Sequence, residues 1–258
     1  MNLAKHFLRS ITPSSLHLSV MCPRMIRRRV LDRTGGKIAG GPFAGMHYLT
    51  ESVGSVLEPK LMGIYEREIN HFVEALVESK PDTVIDIGSA EGYYAVGLAR
   101  RLGDTTVIAF EVEEEGRQLL EQLAKRNAVA ERIRIRGFCD VASLGAALKG
   151  VGRCAIVCDA EGAESQLLDP DAVTAIRTAA ILVELHPRKS PGVKQLLRSR
   201  FEATHYIETA RQVPRTECDF PYREFPIPLL PKAYLQNAVS EFRQPWEDLM
   251  EWFWMVPK

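Results

Sequence analysis

The sequence has no excess charge of either sign, no long apolar run and no paired cysteines. Lys and Arg number 33 and Asp and Glu also 33, so it lacks the basic excess with which a dedicated nucleic-acid binder neutralises phosphates. No run of 18 or more apolar residues occurs, and we therefore expect no transmembrane segment. The five cysteines show neither a Cys-x-x-Cys pair nor a zinc spacing. Scattered cysteines of this kind are typical of reduced thiols in a cytoplasmic enzyme.

The 258 residues, 46% of them hydrophobic, are enough for a sizeable core. We divide the chain into a basic and glycine-rich N-terminal extension, residues 1–54, and one catalytic domain, residues 55–258. Residues 1–31 hold six basic groups and no acid, including the run Arg27-Arg28-Arg29. Two interpretations of this run stay open. It forms a solvated or self-packed helix face, or it contacts an anionic membrane surface or a polyanionic substrate.

Residues 58–79 place apolar side chains at three- and four-residue steps, as at Leu61, Ile64 and Tyr65. This spacing predicts an amphipathic helix over Glu58–Ser79 that faces a core.

From Thr83 onward, apolar runs of strand length alternate with segments of helical periodicity. The predicted strands are Thr83–Ile87, Thr106–Glu111, Arg132–Arg136, Ala155–Asp159 and Ala180–Leu185. The helical segments between them include Glu91–Leu102 and Glu114–Asn127. Several runs consist almost entirely of Val, Ile and Ala, as expected for strands buried on both faces of a parallel sheet. The alternation predicts a doubly wound α/β fold.

The C-terminal part changes character, because six of the fifteen prolines lie between residues 214 and 245. Such a stretch excludes a central strand or a long helix and predicts a proline-rich loop over one end of the sheet. Its aromatic side chains serve either packing or a lid. The run Trp252–Val256 is predicted to return as a closing strand.

The strongest functional signal is at residues 84–94, Val-Ile-Asp-Ile-Gly-Ser-Ala-Glu-Gly-Tyr-Tyr. An apolar strand ends there in Asp86, turns at Gly88 and enters a helix after Gly92. Glycine at the turn lets a ligand approach the backbone, and the helix N-terminus offers N–H donors and a partial positive charge. The strand before the turn and the helix after it indicate a nucleotide-type ligand.

The next predicted strand ends in an acid, Glu111, which lies 23 residues after Gly88. In α/β folds an acid at this place binds the two ribose hydroxyls of an adenosine ligand. The turn has Ser89 and Ala90 where a dinucleotide fold has its second glycine, and the Asp86 carboxylate would repel a pyrophosphate. S-Adenosylmethionine, which carries positive sulfonium and ammonium groups, therefore suits this turn better than a nicotinamide dinucleotide does.

Three segments of the sequence resemble motifs of one known family, the FkbM-like class I methyltransferases. Residues Asp86–Tyr94 are similar to the family's Asp-x-Gly-Ala-Asn-x-Gly-x-Tyr turn. Residues Cys158–Glu164 resemble its Asp-Val-Glu-Gly-x-Glu block after the fourth strand, and Ile181–His186 resembles its fifth strand, which commonly ends Glu-x-His. The resemblance covers about Thr83 to His186.

This resemblance implies a Rossmann-like α/β fold with seven mostly parallel strands in the order 3-2-1-4-5-7-6, the last strand being antiparallel. It also implies S-adenosylmethionine as methyl donor and O-methylation as the usual reaction. The cofactor-binding residues it implies are Asp86, Gly88, Ser89, Ala90, Glu91 and Gly92 in the turn, Glu111 at the ribose and Asp140 at the adenine amino group.

Three polar residues fall at the carboxyl ends of the fourth and fifth strands, where open α/β sheets bind their ligands. They are Asp159, Glu161 and His186. A hydroxyl acceptor must lose a proton during methyl transfer, and His186 is the preferred base because histidine titrates near neutrality. Asp159 and Glu161 are second choices, and Glu161 could instead serve the N-terminus of the following helix. We predict no metal site, since no third oxygen ligand is evident after the fifth strand.

We therefore expect a methyltransferase that acts on a small-molecule or glycan hydroxyl. Nucleic acid is not expected as the acceptor, because the Asn/Asp-Pro-Pro-Tyr/Phe motif of base-amine methyltransferases is missing at residues 158–161. Two alternatives remain, an NAD(P)-dependent oxidoreductase on the same fold and a non-catalytic relative that keeps it as a binding module.

Overall fold

The computed structural model describes residues 23–50, 52, 56–225, 227–241 and 250–258. Most of the predicted basic arm, residues 1–22, lies outside the described residues, as do Pro226 and residues 242–249 of the predicted proline-rich loop. The seven strands are β1 (Thr83–Ile87), β2 (Thr106–Phe110), β3 (Ile133–Arg136), β4 (Cys154–Cys158), β5 (Ala180–Leu185), β6 (His205–Arg211) and β7 (Glu251–Pro257).

These strands form one sheet in the order β3-β2-β1-β4-β5-β7-β6. The pairs among β1 to β5 are parallel, whereas β7 is antiparallel to both β5 and β6. The predicted fold class, strand order and closing C-terminal strand are therefore confirmed. Because the chain leaves β1 toward β2 and later returns to β4 on its other side, the strand order reverses between β1 and β4. A crevice opens at such a reversal in doubly wound sheets.

The sheet separates two apolar layers, and β1 contributes to both. Val84 belongs to one layer, and Ile85 and Ile87 belong to the other. All five residues of β1 are buried, as the continuous apolar run predicts. Asp86 is the exception in chemistry, since it is a carboxylate inside an otherwise apolar central strand.

The helices are α1 (residues 23–34), α2 (Leu57–Met62), α3 (Asn70–Glu78), α4 (Tyr93–Arg101), α5 (Glu114–Arg126), α6 (Val141–Ala147), α7 (Glu164–Leu167), α8 (Val193–Phe201) and α9 (Lys232–Val239). The prediction of one helix over Glu58–Ser79 is wrong, because α2 ends at Gly63 in the left-handed region with φ 75°. A Cβ atom at Gly63 would lie 2.3 Å from the carbonyl oxygen of Gly40. The helix is thus interrupted where the glycine-rich segment crosses it.

The glycine-rich segment packs on the same core as the sheet. The Phe43 ring meets the edge of Tyr93 with centroids 5.1 Å apart, and Gly97 on α4 leaves the room that this ring needs. On α1, Arg27 pairs with Glu58 at 2.6 Å and Arg29 donates to the carbonyl oxygen of Phe225 at 2.6 Å. Arg28 pairs with Asp32 on the same helix at 3.8 Å, so all three consecutive arginines have a partner within the protein.

The proline-rich stretch contains more regular structure than the predicted loop, since α9 forms over eight residues after Pro231. No proline occurs within those eight residues, so the backbone can make helical hydrogen bonds there. The stretch is tied to the N-terminal helices by Arg215, which is buried and pairs with Glu68 at 2.5 Å and Glu241 at 2.9 Å. Among the described residues, no helix is both long enough and apolar enough to cross a bilayer.

Candidate active site

A cavity of about 660 Å³ opens at the carboxyl ends of β1, β2, β4 and β5, where the strand order reverses. One end is lined by Glu111, Phe138 and Cys139, and the other by Asp159, Glu161 and His186. The turn after β1 forms the wall between them. A third part of the wall is aromatic and comes from Tyr65, Tyr93 and Tyr94.

Asp86 places a carboxylate in this cavity. The residue is 2% exposed, and its Oδ2 atom has no hydrogen-bond partner among the described residues. Burial, together with the charge of Asp159, raises the pKa of Asp86 to about 7. A buried carboxylate oxygen without a hydrogen-bond partner is costly and calls for a partner that the protein itself does not supply.

Gly88 makes the turn above Asp86 possible. It has φ 81°, and a Cβ atom there would lie 1.9 Å from the carbonyl oxygen of Asp159. The N–H groups of Gly88 and Ser89 both donate to the carbonyl oxygen of Phe110, at 2.9 and 3.0 Å. The Ser89 hydroxyl donates to the Asp86 carbonyl at 2.9 Å. The turn is therefore fixed in place by the ends of β1 and β2.

The carboxylate of Glu111 is held in a set orientation. Its Oε2 accepts from the N–H of Ala90 at 2.7 Å, and its Oε1 accepts from the N–H of Glu113 at 2.8 Å. The side chain follows β2 directly, is 7% exposed and lines the cavity. A carboxylate oxygen has two lone pairs, so both oxygens can accept again from a pair of ligand hydroxyls.

Two predicted cofactor residues of the turn are placed elsewhere. Glu91 is fully buried and is not part of the cavity lining. Its Oε1 accepts from the Tyr48 hydroxyl at 2.7 Å, from the Ser52 hydroxyl at 2.6 Å and from the Lys60 ammonium at 2.5 Å. Gly92, with φ 96°, begins α4 and packs on Leu120 instead of lining the cavity.

Asp140, predicted at the adenine amino group, is the N-cap of α6. Its Oδ1 accepts from the N–H of Ser143 at 2.7 Å, and the Ser143 hydroxyl accepts from the Asp140 N–H in return. The adjoining cavity wall is made by Gly137, Phe138 and Cys139, and Phe138 is 73% exposed.

His186 follows β5 and lies between carboxylates on both sides of its ring. Its Nδ1 is 2.7 Å from Oε1 of Glu164, which is completely buried. Since a carboxylate accepts hydrogen bonds, Nδ1 carries the proton and Nε2 faces the other carboxylates. Nε2 lies 3.5 Å from both Asp159 and Glu161, and 3.6 Å from Glu184. The structure therefore brings together all three predicted catalytic residues.

Electrostatics favour the protonated form of His186. Burial lowers its pKa, but the hydrogen bond to Glu164 and the charges of Asp159 and Glu161 outweigh burial, so the pKa is raised. Burial raises the pKa of Glu164, but the hydrogen bond from His186 outweighs burial, so the pKa is lowered. Glu161 has φ 50°, an uncommon value for a residue with a side chain, and pairs with the ammonium group of Lys189. Strained backbone of this kind is concentrated at functional sites.

Sequence reasoning missed three residues here. Glu184, at the end of β5, supplies the oxygen ligand that the prediction of no metal site took to be absent, since residues 184 and 186 lie on the same side of an extended chain. The ligand atoms of Asp159, Glu184 and His186 lie within 4.8 Å of one another, an arrangement that could hold a divalent cation. Glu164 and Lys60 were also missed. The one available signal for Lys60 was its charge amid the apolar residues of α2.

Comparison with protein-family models and with curated proteins yields no match. Several solved structures have a similar fold. They include the O-methyltransferase from Bacillus cereus in complex with SAH, at 15% identity and TM-score 0.47, covering 72% of this chain and 79% of that one. The O-methyltransferase TomG from Streptomyces achromogenes, in complex with SAM, has 15% identity and TM-score 0.46, with 72% and 78% covered. At these values neither carries an argument about the activity of this chain.

Proposed function

We propose that this chain is an S-adenosylmethionine-dependent methyltransferase that methylates a hydroxyl of a small molecule or glycan. The observation that carries the proposal is the buried Asp86 carboxylate. The residue lines the cavity, and its Oδ2 has no hydrogen-bond partner among the described residues. A cationic ligand is the partner that relieves such a group. S-Adenosylmethionine has an ammonium group and a sulfonium group, and the alternative dinucleotides bring a pyrophosphate.

The other residues around the cavity fit the same ligand. Glu111 presents both carboxylate oxygens in a fixed orientation, which suits a ribose diol. Gly88 keeps the turn free of a side chain beside the end of β4. We retain Ser89 and Ala90 as wall residues. Asp140, which does not line the cavity, stays a proposed contact to the adenine, and Glu91 and Gly92 support the turn without lining the cavity.

When bound, S-adenosylmethionine supplies an electrophilic methyl group on a positive sulfur. The protein then has to orient the acceptor and accept its proton, and orientation alone can contribute about 7–11 kcal/mol to lowering the barrier. We assign proton acceptance to Nε2 of His186, with Asp159 and Glu161 orienting the acceptor hydroxyl. Since the pKa of His186 is raised, the unprotonated form becomes populated only on the alkaline side of the ordinary histidine range.

A nicotinamide-dependent oxidoreductase is less well supported. Pyrophosphate recognition depends on free N–H groups in the turn. Here the N–H groups of Gly88, Ser89, Ala90 and Gly92 already donate within the protein, to Phe110, to Glu111 and to Ser89. The proposal of an FkbM-like enzyme is supported by the Glu184-Leu185-His186 end of β5 and by the Asp159–Glu164 block beside it.

Isothermal titration calorimetry with S-adenosylhomocysteine and with NADH tests the proposed cofactor. We expect S-adenosylhomocysteine to bind and NADH to give no heat of binding. No binding of S-adenosylhomocysteine up to millimolar concentration, or tight binding of NADH, would show that the assignment is wrong. Transfer of tritiated methyl groups to a panel of hydroxylated metabolites and glycans then identifies the acceptor. His186→Asn should lower the rate of methyl transfer by about 10²–10⁴-fold without weakening the binding of S-adenosylhomocysteine.

A further inference from the structure

Lys60 is a buried cation in the wall of the cofactor cavity. It is 2% exposed and lies on α2, between apolar neighbours of the core. Its Nζ atom is 2.5 Å from Oε1 of Glu91 and 3.3 Å from the Ser52 hydroxyl, and neither of these two residues lines the cavity. A lysine is rarely buried to this degree unless its charge has a use or a partner.

Aromatic rings also surround the ammonium group. Nζ lies 5.0 Å from the ring centroid of Tyr65 and 5.5 Å from that of Tyr93, and Lys60 and both tyrosines line the cavity. Ring faces stabilise a cation without occupying its N–H groups as a carboxylate would. An ammonium group has three N–H donors, and Glu91 and Ser52 account for two of them.

The same cavity therefore contains buried groups of both charges, among them the Asp86 carboxylate and the Lys60 ammonium. An α-amino acid has the complementary pair, an ammonium and a carboxylate on one carbon. Each charged end of the amino acid would then meet a buried side chain of opposite charge, in a place where an uncompensated charge is costly.

Building on the function proposed above, the geometry points to Lys60 as the residue that recognises the carboxylate of the cofactor's amino-acid part, opposite Asp86 at the ammonium. Lys60 is thus a binding residue contributed by the N-terminal helices, outside the sheet and its turns. Glu91, one residue before Gly92, links it to the turn that approaches the cofactor.

The test compares two ligands by calorimetry on the intact protein. S-Adenosylhomocysteine has the carboxylate, and its decarboxylated analogue keeps the adenosine, the sulfur and the amine. We expect wild-type protein to bind S-adenosylhomocysteine about 10- to 100-fold more tightly than the analogue, as for one charge-assisted hydrogen bond. In Lys60→Met this ratio should fall to about 2 or less, because the residue that reads the carboxylate is gone.

Lys125→Met is the matched control, since Lys125 is an exposed lysine on α5 that pairs with Glu121 at 2.6 Å; its ratio should equal that of wild type. If Lys60→Met does not fold, the double variant Lys60→Met/Glu91→Gln, which removes both charges of the buried pair, takes the place of the single variant in the comparison. Equal binding of the two ligands by wild type, or an unchanged ratio in the Lys60 variants, overturns the inference. Failure of wild type to bind either ligand instead overturns the cofactor assignment itself.

Discussion

Asp86 and Glu91 are two buried carboxylates that flank the same glycine turn, and they differ in what surrounds them. Glu91 has three donors on one oxygen. Burial raises its pKa, but the Lys60 charge and the hydroxyl donors outweigh burial and lower it. Asp86 keeps one oxygen without a hydrogen-bond partner among the described residues, and burial raises its pKa to about 7. We interpret the carboxylate that the protein saturates as structural, and we expect the one with an unsatisfied oxygen to bind a ligand of the cavity.

The largest effect is expected from removing the saturated carboxylate. Glu91→Ala leaves the Lys60 ammonium buried without its ion partner, and breaking a buried pair in this way costs about 3–5 kcal/mol of unfolding free energy. Chemical denaturation measures this loss of unfolding free energy. Glu121→Ala, which breaks the exposed pair with Lys125, should cost less than about 1 kcal/mol. A Glu91 variant as stable as the Glu121 variant would show that Glu91 is not a structural carboxylate.

Asp86→Asn should have the opposite profile. The side chain keeps its size but loses the charge that attracts an ammonium group, so S-adenosylhomocysteine should bind about 10- to 100-fold more weakly. The free protein should be at least as stable as wild type at pH 8, because no buried charge remains. Calorimetry and denaturation measure the two quantities on one sample. Loss of stability with unchanged affinity would assign Asp86 a structural role like that of Glu91.

The raised pKa of Asp86 gives ligand binding a pH dependence of known sign. Only the ionised carboxylate attracts the ammonium, so affinity for S-adenosylhomocysteine should fall about tenfold per pH unit below 7 and level off above it.

The stability of the free protein should have the opposite pH dependence. The folded state holds a proton on Asp86 that the unfolded chain has lost, so stability declines as pH rises from about 4 through 7. Asp86→Asn should abolish the pH dependence of affinity and weaken that of stability, to which Glu241, whose pKa burial also raises to about 7, contributes in the same direction. A wild-type affinity independent of pH between 5.5 and 8 would contradict the prediction.

Ser89→Ala should have the smallest effect. The variant removes one neutral hydrogen bond, from the Ser89 hydroxyl to the Asp86 carbonyl at 2.9 Å, which contributes about 0.5–1.5 kcal/mol to stability. We expect a small loss in denaturation and an affinity for S-adenosylhomocysteine within about twofold of wild type. A much larger loss of affinity would show that Ser89 touches the ligand directly.

Much of the sheet could be predicted from the sequence because its signal is local. Thr83–Ile87 and Ala180–Leu185 match β1 and β5 residue for residue, and the other three predicted parallel strands agree to within one residue at either end. Continuous Val, Ile and Ala runs report burial on both faces directly. The turn after β1 was equally visible, because a strand, a glycine and a helix follow one another within a few residues.

The errors came from contacts between distant parts of the chain. The helical pattern of residues 58–79 gives no sign that Gly63 meets Gly40, and this long-range contact divides the helix. Glu91 was expected at the cofactor because it lies in the turn, but Tyr48, Ser52 and Lys60 draw its side chain to the other side. The pairing of Glu164 with His186 depends on two neighbouring strands meeting in register, which sequence spacing does not reveal.

The crystal structure of the complex with S-adenosylhomocysteine tests the central claim most directly. We expect the ligand's ammonium nitrogen at hydrogen-bonding distance, about 2.7–3.2 Å, from Oδ2 of Asp86, with the ribose hydroxyls on Glu111. A complex in which Oδ2 of Asp86 still lacks a partner, or in which a phosphate group occupies the turn, would contradict it.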